Sequence, residues 1–415
     1  MEIAIDDRGR IQSLGRVLRG APRHDVGEAV ILPAATDLHV HFREPGGPPD
    51  VESIATGTVE AALGGVTLVG DMPNNNPAVT DADRLEEKAR RVAGSAAVDM
   101  LLYASPTRPA ELRRLARVAG AFKVYLSPTT GIPEVLPPEE VGPLLRQLAE
   151  LDLPVAVHAE DPSQFRSEPP PSGPADWNVL RPPLAEKTAL DRLLPPPPRL
   201  RFHVAHVTTV DTVERLRAAG LSFEATAHHL LLSERSGTDA RFKVNPPLRS
   251  ESERKALWEA FRRGEIPCVA SDHAPHSSEA KALPFERAPS GMPGVETMLP
   301  LLLEKVRVGE LGLPTLIASA CDRPARWLGQ PIGRIAPGHR ANLLVVDFKA
   351  HAPLSSRTLH APCGWTAFEG WEAVRPREHY RDGERIVQDG EFVGRRAGGV
   401  VRPDYSESGR PAAAQ

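Results

Sequence analysis

Eight short runs rich in apolar and β-branched residues recur between residues 37 and 272, and helix-like stretches lie between most of them. The runs are 37–42 (DLHVHF), 66–71 (VTLVGD), 99–104 (DMLLYA), 121–126 (AFKVYL), 154–159 (PVAVHA), 201–207 (RFHVAHV), 221–228 (LSFEATAH) and 267–272 (PCVASD). Intervening stretches such as DVESIATGTVEAALGG, DADRLEEKARRVAG and TVDTVERLRAAG stop at glycine, a common end of a helix. A strand–helix alternation repeated this often within about 300 residues predicts an α/β fold, a (β/α)8 barrel of TIM type. A doubly wound open sheet is the alternative, which strand count and length disfavour.

The barrel is expected over 36–334. Both chain ends fall outside it. Residues 1–35 and 335–396 read as short strands and glycine turns, among them ANLLVVDF and HYRDGERIVQDGEFV, and are expected to pack together as a small composite β-domain. Residues 397–415 read as a mobile tail. The Pro-rich stretch EPPPSGPADWNVLRPP (168–183) reads as a long loop after the fifth strand. A net charge of −4 leaves no basic surface for nucleic acid. Apolar runs are too short to span a bilayer, and the N-terminus has no signal architecture. Three scattered cysteines exclude a disulfide framework and a Cys-zinc site, which points to a reduced, cytoplasmic setting.

Chemistry in such a barrel gathers at the C-terminal ends of the strands. His39 and His41 are two apart, so they share one strand face while Val40 and Phe42 turn toward an apolar layer. Lys123 lies in the fourth run, His158 ends the fifth, His206 the sixth and Asp272 the eighth. Each has an ordinary explanation alone, as a hydrogen-bonded core histidine or a capping aspartate. Six at one end of one barrel indicate a metal site. Lys123 sits in the apolar run AFKVYL, where an isolated ammonium is costly. Either it pairs with a buried carboxylate, or its lowered pKa lets the neutral amine add carbon dioxide. The resulting carbamate is an anionic, two-oxygen ligand able to bridge two ions, and four neutral histidines call for such anions.

These motifs resemble the dihydroorotases, a cyclic amidohydrolase branch of the amidohydrolase superfamily. The chain carries DLHVHFREPG, GDMPNNNPAVTD, FKVYLS, VHAED, HVAHVTT, HHLLLSE, KVNPPLR, SDHAPH and GMPGVETMLPLLLE in the family's order, over about residues 30 to 390. The resemblance implies two zinc ions per chain. His39, His41 and Asp272 would hold one, His158 and His206 the other, with carboxylated Lys123 bridging. Three features depart from the common pattern. Lys123 stands where many bacterial members carry aspartate, which matches the lysine-bridged variant of multifunctional pyrimidine enzymes. The stretch before the first barrel strand is shorter than usual, and LPAAT replaces a common Pro-Gly turn.

The implied reaction is the reversible closure of N-carbamoyl-L-aspartate to L-dihydroorotate in pyrimidine biosynthesis, with Asp272 moving the proton. Arg43 is expected on the strand face of His39 and His41, gripping the substrate carboxylate with a guanidinium fork. Asn74 and His276 match further carboxylate contacts. Asn245 and the backbone of Ser290 and Gly291 match contacts to the ring amides, and Thr129 matches a flap-loop threonine. Arg43 and Asn74 argue against the rival allantoinase or hydantoinase activity, whose substrates lack that carboxylate. A non-catalytic scaffold is the other rival, but such relatives lose metal ligands that this chain keeps. A homo-oligomer and association with aspartate carbamoyltransferase are partner readings that the resemblance leaves open.

Overall fold

The computed structural model of the chain describes residues 1–16, 22–132 and 135–405. All eight expected barrel strands form: β1 (Ala35–Val40), β2 (Val66–Asp71), β3 (Asp99–Ala104), β4 (Ala121–Tyr125), β5 (Val155–His158), β6 (Phe202–Val204), β7 (Ser222–Thr226) and β8 (Cys268–Ala270). They pair in chain order as one parallel ladder. β1, β2 and β3 are buried along their whole length. This is why they read as near-continuous apolar runs and not as alternating ones. The seam between β8 and β1 closes just past the strand ends. There Val40 bridges His273, the His41 N–H donates to the His273 carbonyl at 2.7 Å, and the Ser271 N–H donates to Asp37 at 3.1 Å. The seam therefore sets residues 271–273 beside residues 39–41.

Helix α1 (Ile54–Leu63) starts at Ser53, which exchanges hydrogen bonds with Thr56 in a reciprocal cap, and α2 (Ala82–Val92) starts at Asp81, which accepts the Arg84 N–H. Val40 and Phe42 join the large core between barrel and helices, as the alternation of β1 predicts. The two chain ends meet in an antiparallel sheet. Val30–Pro33 pairs with Leu343–Val346, which pairs with Glu378–Arg381, followed by Glu384–Gln388 and Glu391–Phe392. Arg340 ties this sheet to the barrel, with a two-pronged contact to Asp382 at 2.5 Å and a third bond to Asp99 at 2.6 Å.

One expectation is corrected. The Pro-rich stretch after β5 is not a plain loop: Pro174–Leu180 forms a helix with proline in its first turn, where no N–H is needed. The first residues of the expected tail make contacts with the barrel. Val400 and Val401 pair with Met100 and Leu101 at the start of β3, a flank left free because β4 pairs only from Tyr103 onward. The Tyr405 hydroxyl then donates to the Trp327 carbonyl at 2.9 Å, and its ring lies 3.4 Å from the Arg201 guanidinium. Residues 406–415, the rest of the expected tail, lie outside the described residues. Among the described residues no helix is long and apolar enough to cross a membrane.

Candidate active site

His39 lies on β1 and His41 just past it; Lys123 is inside β4 and His158 ends β5. His206 and Asp272 sit two residues beyond β6 and β8, both in the left-handed region, with φ of 37° and 48°. Such a backbone costs of order 1–3 kcal/mol for a non-glycine residue and marks places where side-chain direction matters. Here it turns both side chains into the barrel mouth. Ligand atoms of His39, His41 and Asp272 lie within 4.8 Å of one another. Asp272 Oδ1 is 3.0 Å from His41 Nε2 and 3.3 Å from His39 Nε2, and Lys123 Nζ is 3.4 Å from His39 Nε2. Beside them His158 Nδ1 faces His206 Nε2 at 2.9 Å. All six expected metal ligands thus converge.

The other ring nitrogens decide what this cluster can do. His39 Nδ1 lies 2.6 Å from Glu224 Oε1, and His158 Nε2 lies 2.8 Å from Glu160 Oε2. Carboxylates only accept, so both nitrogens carry protons. Asn74 donates from Nδ2 to the Thr130 carbonyl at 3.0 Å, which turns its Oδ1 toward His41 Nδ1 at 2.5 Å and fixes that proton as well. The three opposite nitrogens therefore present lone pairs inward, the arrangement in which outer acceptors orient imidazoles for a metal. Burial, followed by the Lys123 charge, pushes His39 down to about 4; burial also lowers His158 and holds His206 well below the usual range. Burial works against the Asp272 carboxylate, yet His39 and His41 keep it ionised well below the ordinary carboxylate range. Lys123 is fully buried, and burial pulls it to about 8. The donor set fits divalent cations.

Several of these supporting groups escape a sequence reading. Glu224 is buried in β7 between His39 and His203 Nε2, the latter at 3.0 Å. Glu160 is also held by Arg181, at 3.2 Å from Nε and 2.5 Å from Nη2. Burial opposes ionisation of both acids, but the charges and hydrogen bonds around them, led by His39 for Glu224 and by Arg181 for Glu160, together hold both below the ordinary carboxylate range. A charged residue inside an apolar strand run, the signal that singles out Lys123, applies equally to Glu224 in SFEAT. Tyr125 lines the cavity with a buried hydroxyl that has no partner among the described residues; within FKVYL it reads only as core.

Of the expected substrate contacts, Arg43, Asn74, Thr129, Asn245, Ser290 and Gly291 line the same cavity as the histidines and Asp272. Arg43 is not on the strand face: β1 ends at Val40, and Arg43 has φ of 57°. That turn carries its guanidinium away from the histidines to the Pro275 carbonyl, at 2.5 Å, and beside His276. His276 Nε2 donates to the Ser290 carbonyl at 2.9 Å. Arg43 has no carboxylate partner among the described residues, and its buried Nε has no acceptor. Asn74 has both polar atoms engaged, so gripping a carboxylate would require it to release Thr130. Gly291, at φ of 133°, leaves no room for a Cβ, which would lie 2.5 Å from the Ala274 carbonyl oxygen.

A family model described as dihydro-orotase-like matches residues 28–124. A dihydroorotase of Halobacterium salinarum is 37% identical over 410 residues, covering 95% of each chain. One of Bacillus caldolyticus is 36% identical over 84% of each chain, and one of Archaeoglobus fulgidus 33% over 92% of each. Among solved structures, the L-hydantoinase of Arthrobacter aurescens superposes with a TM-score of 0.87 at 24% identity, over 94% of this chain and 92% of that one. The dihydropyrimidinase of Brevibacillus agri gives 0.82 at 24%, over 97% and 96%. At that identity the likeness is one of fold.

Proposed function

The chain belongs to the dihydroorotase family, and from that premise we propose that it interconverts N-carbamoyl-L-aspartate and L-dihydroorotate at the barrel mouth with two zinc ions. The observation that carries the substrate is Arg43. A guanidinium that reaches into the cavity with a buried, unpaired Nε and no acidic partner is suited to a carboxylate brought by a ligand. Neutral ring substrates leave such a group uncompensated.

His39, His41 and Asp272 would hold one zinc, and His158 and His206 the other. The Lys123 amine would add carbon dioxide, forming an N–C bond and releasing one proton, and the carbamate would serve both ions. Bound there, the ions supply Lewis acidity toward the amide carbonyl and toward water. Glu224, Asn74 and Glu160 keep the imidazoles in the tautomer that binding needs. In hydrolysis Asp272 takes the proton of the attacking water and returns it to the departing ring nitrogen; in closure it takes the proton of the ureido nitrogen. Arg43, with His276 behind it, orients the substrate carboxylate. Asn245 and the Ser290–Gly291 backbone face the ring amides, and Thr129 reaches in from the loop after β4, whose movement excludes water.

The test is an interconversion assay on wild type and Arg43→Met, which removes the fork and keeps much of the bulk. A charge-assisted contact is worth roughly 1.5–3 kcal/mol, so kcat/KM for carbamoyl-aspartate is expected to fall about tenfold to a hundredfold with metal content intact. Dihydrouracil, a neutral ring, is expected to change little. Equal losses on both would leave Arg43 a supporting residue of the fold and remove the case for a carboxylate-bearing substrate.

A further inference from the structure

Two lysines outside the metal cluster are buried without a carboxylate within ion-pair distance among the described residues: Lys243 and Lys281, each 4% exposed. Both bind main-chain carbonyls instead. Lys243 Nζ donates to Phe285, Glu286 and Ala288 at 2.8, 3.0 and 2.8 Å. Lys281 Nζ donates to Gly291 at 2.7 Å, Pro289 at 2.9 Å and Lys243 at 3.4 Å. The Gly291 N–H closes the unit by donating to the Lys243 carbonyl at 2.9 Å. An ammonium has three donors, and each lysine directs all three at this backbone. Rings complete the cages: Trp177 lies 4.6 Å from Lys243 Nζ, and Trp365 lies 5.6 Å from Lys281 Nζ.

A buried charge without a counter-charge is expensive, and holding a loop does not require one. The far side of this loop, however, is the cavity wall at Ser290 and Gly291. Next to it stand His276, bonded to the Ser290 carbonyl, and the unpaired Arg43. Burial, followed by the Lys243 charge, lowers Lys281 to about 7, with Arg43 adding to the effect and Asp239 opposing it; the three carbonyl acceptors at Nζ favour the ammonium over the amine, which has only two N–H groups. Arg43 thus lines the pocket, and the two lysines back its Ser290–Gly291 wall, none of the three with a carboxylate at ion-pair distance among the described residues.

We propose that Lys281, backed by Lys243, is a specificity-determining positioning residue for anionic substrates. It fixes the Ser290–Gly291 backbone against the cavity and keeps that wall positive, so a ring carboxylate is favoured over a neutral substituent. The inference rests on the carboxylate-bearing substrate proposed above and adds a residue that does not touch it.

The experiment compares Lys281→Gln and Lys281→Arg with wild type in two readouts, KM and kcat for dihydroorotate and the inhibition constant of its neutral carboxamide. For Lys281→Gln the KM for dihydroorotate is expected to rise about tenfold, the size of a lost charge interaction at a desolvated site. Its kcat is expected to stay within about twofold, and the carboxamide constant to change less than about twofold. Lys281→Arg, which keeps the charge, is expected to recover most of the affinity. Equal weakening toward acid and amide would overturn the proposal, because the lysine would then only hold the loop. If Lys281→Gln does not fold, Lys281→Arg decides: a KM near wild type supports the charge role, and a tenfold rise in a folded protein contradicts it. A wild type inactive on dihydroorotate would instead refute the substrate reading, a separate result.

Discussion

Asp272 and His273 are neighbours in the chain, and each belongs to a buried cluster of histidine and acid: His39, His41 and Asp272 in one, Glu52, Glu60 and His273 in the other. By residue type and spacing both resemble a metal site. Their hydrogen bonds make them opposites. His39 and His41 donate from Nδ1 to Glu224 and Asn74, which leaves Nε2 lone pairs facing Asp272. His273 Nδ1 faces the N–H groups of Gly294 and Val295, at 3.1 and 3.3 Å, so that nitrogen accepts. Its proton therefore sits on Nε2 and goes to Glu52 Oε2 at 2.9 Å. Glu52 also accepts the Ser53 N–H at 2.9 Å and the Thr56 hydroxyl. Burial, then the charges of Glu52 and Glu296, raises Glu60 well above the ordinary carboxylate range, so it stays protonated beside Glu52. In the second cluster both ring nitrogens of His273 are engaged without an ion, although Glu60 Oε1 has no partner among the described residues; in the first, His39 and His41 keep lone pairs that a cation would satisfy. What separates them is the partner of the far ring nitrogen.

That contrast can be pressed from its strongest consequence down. Lys123→Ala removes the proposed bridge, and activity is expected to fall at least about a hundredfold; short carboxylic acids in solution are expected to restore part of it. Glu224→Gln weakens the charged acceptor of His39 without touching a ligand atom. Zinc affinity is expected to fall about tenfold to a hundredfold, measured by competition with a chelator. Glu52→Gln acts on the other cluster and is expected to lower unfolding free energy by about 1.5–3 kcal/mol, read by denaturant titration, with zinc content unchanged. Glu60→Gln is expected to change least. Above pH 4.5, its ordinary value, the folded protein keeps a Glu60 proton that the unfolded chain has released, so this group's contribution falls as pH rises toward its higher folded pKa. Replacing it should flatten the decline of Tm with pH over that window and leave activity alone. Zinc loss in Glu52→Gln or Glu60→Gln would erase the distinction between the clusters.

The barrel was legible in the sequence because strands covered on both sides must be apolar throughout, and glycine marks the end of many helices. The six residues expected as ligands were legible because each is a polar residue within or just past such a run. Arg43 shows where a period-two argument stops. The alternation holds only to Val40, and the left-handed turn at Arg43 re-aims its side chain. Asn74 reads as a substrate contact, and the fold adds a bond that the sequence does not announce, from its Oδ1 to His41. Glu224 and Glu160 need tertiary neighbours to acquire meaning: β7 must stand beside the first strand's histidine, and Arg181 must come back from the Pro-rich segment. The tail segment 397–401, AGGVV, is short and glycine-rich. Nothing local announces that Val400 and Val401 find an open flank of β3.

The most direct test is anomalous X-ray diffraction at the zinc edge on crystals of protein shown to be active. Two peaks are expected in the barrel mouth, one among His39, His41 and Asp272 and one beside His158 and His206. Continuous density is expected from Lys123 to both, and no peak between Glu52, Glu60 and His273. An ion in that second cluster, or active protein with none in the first, would contradict the account.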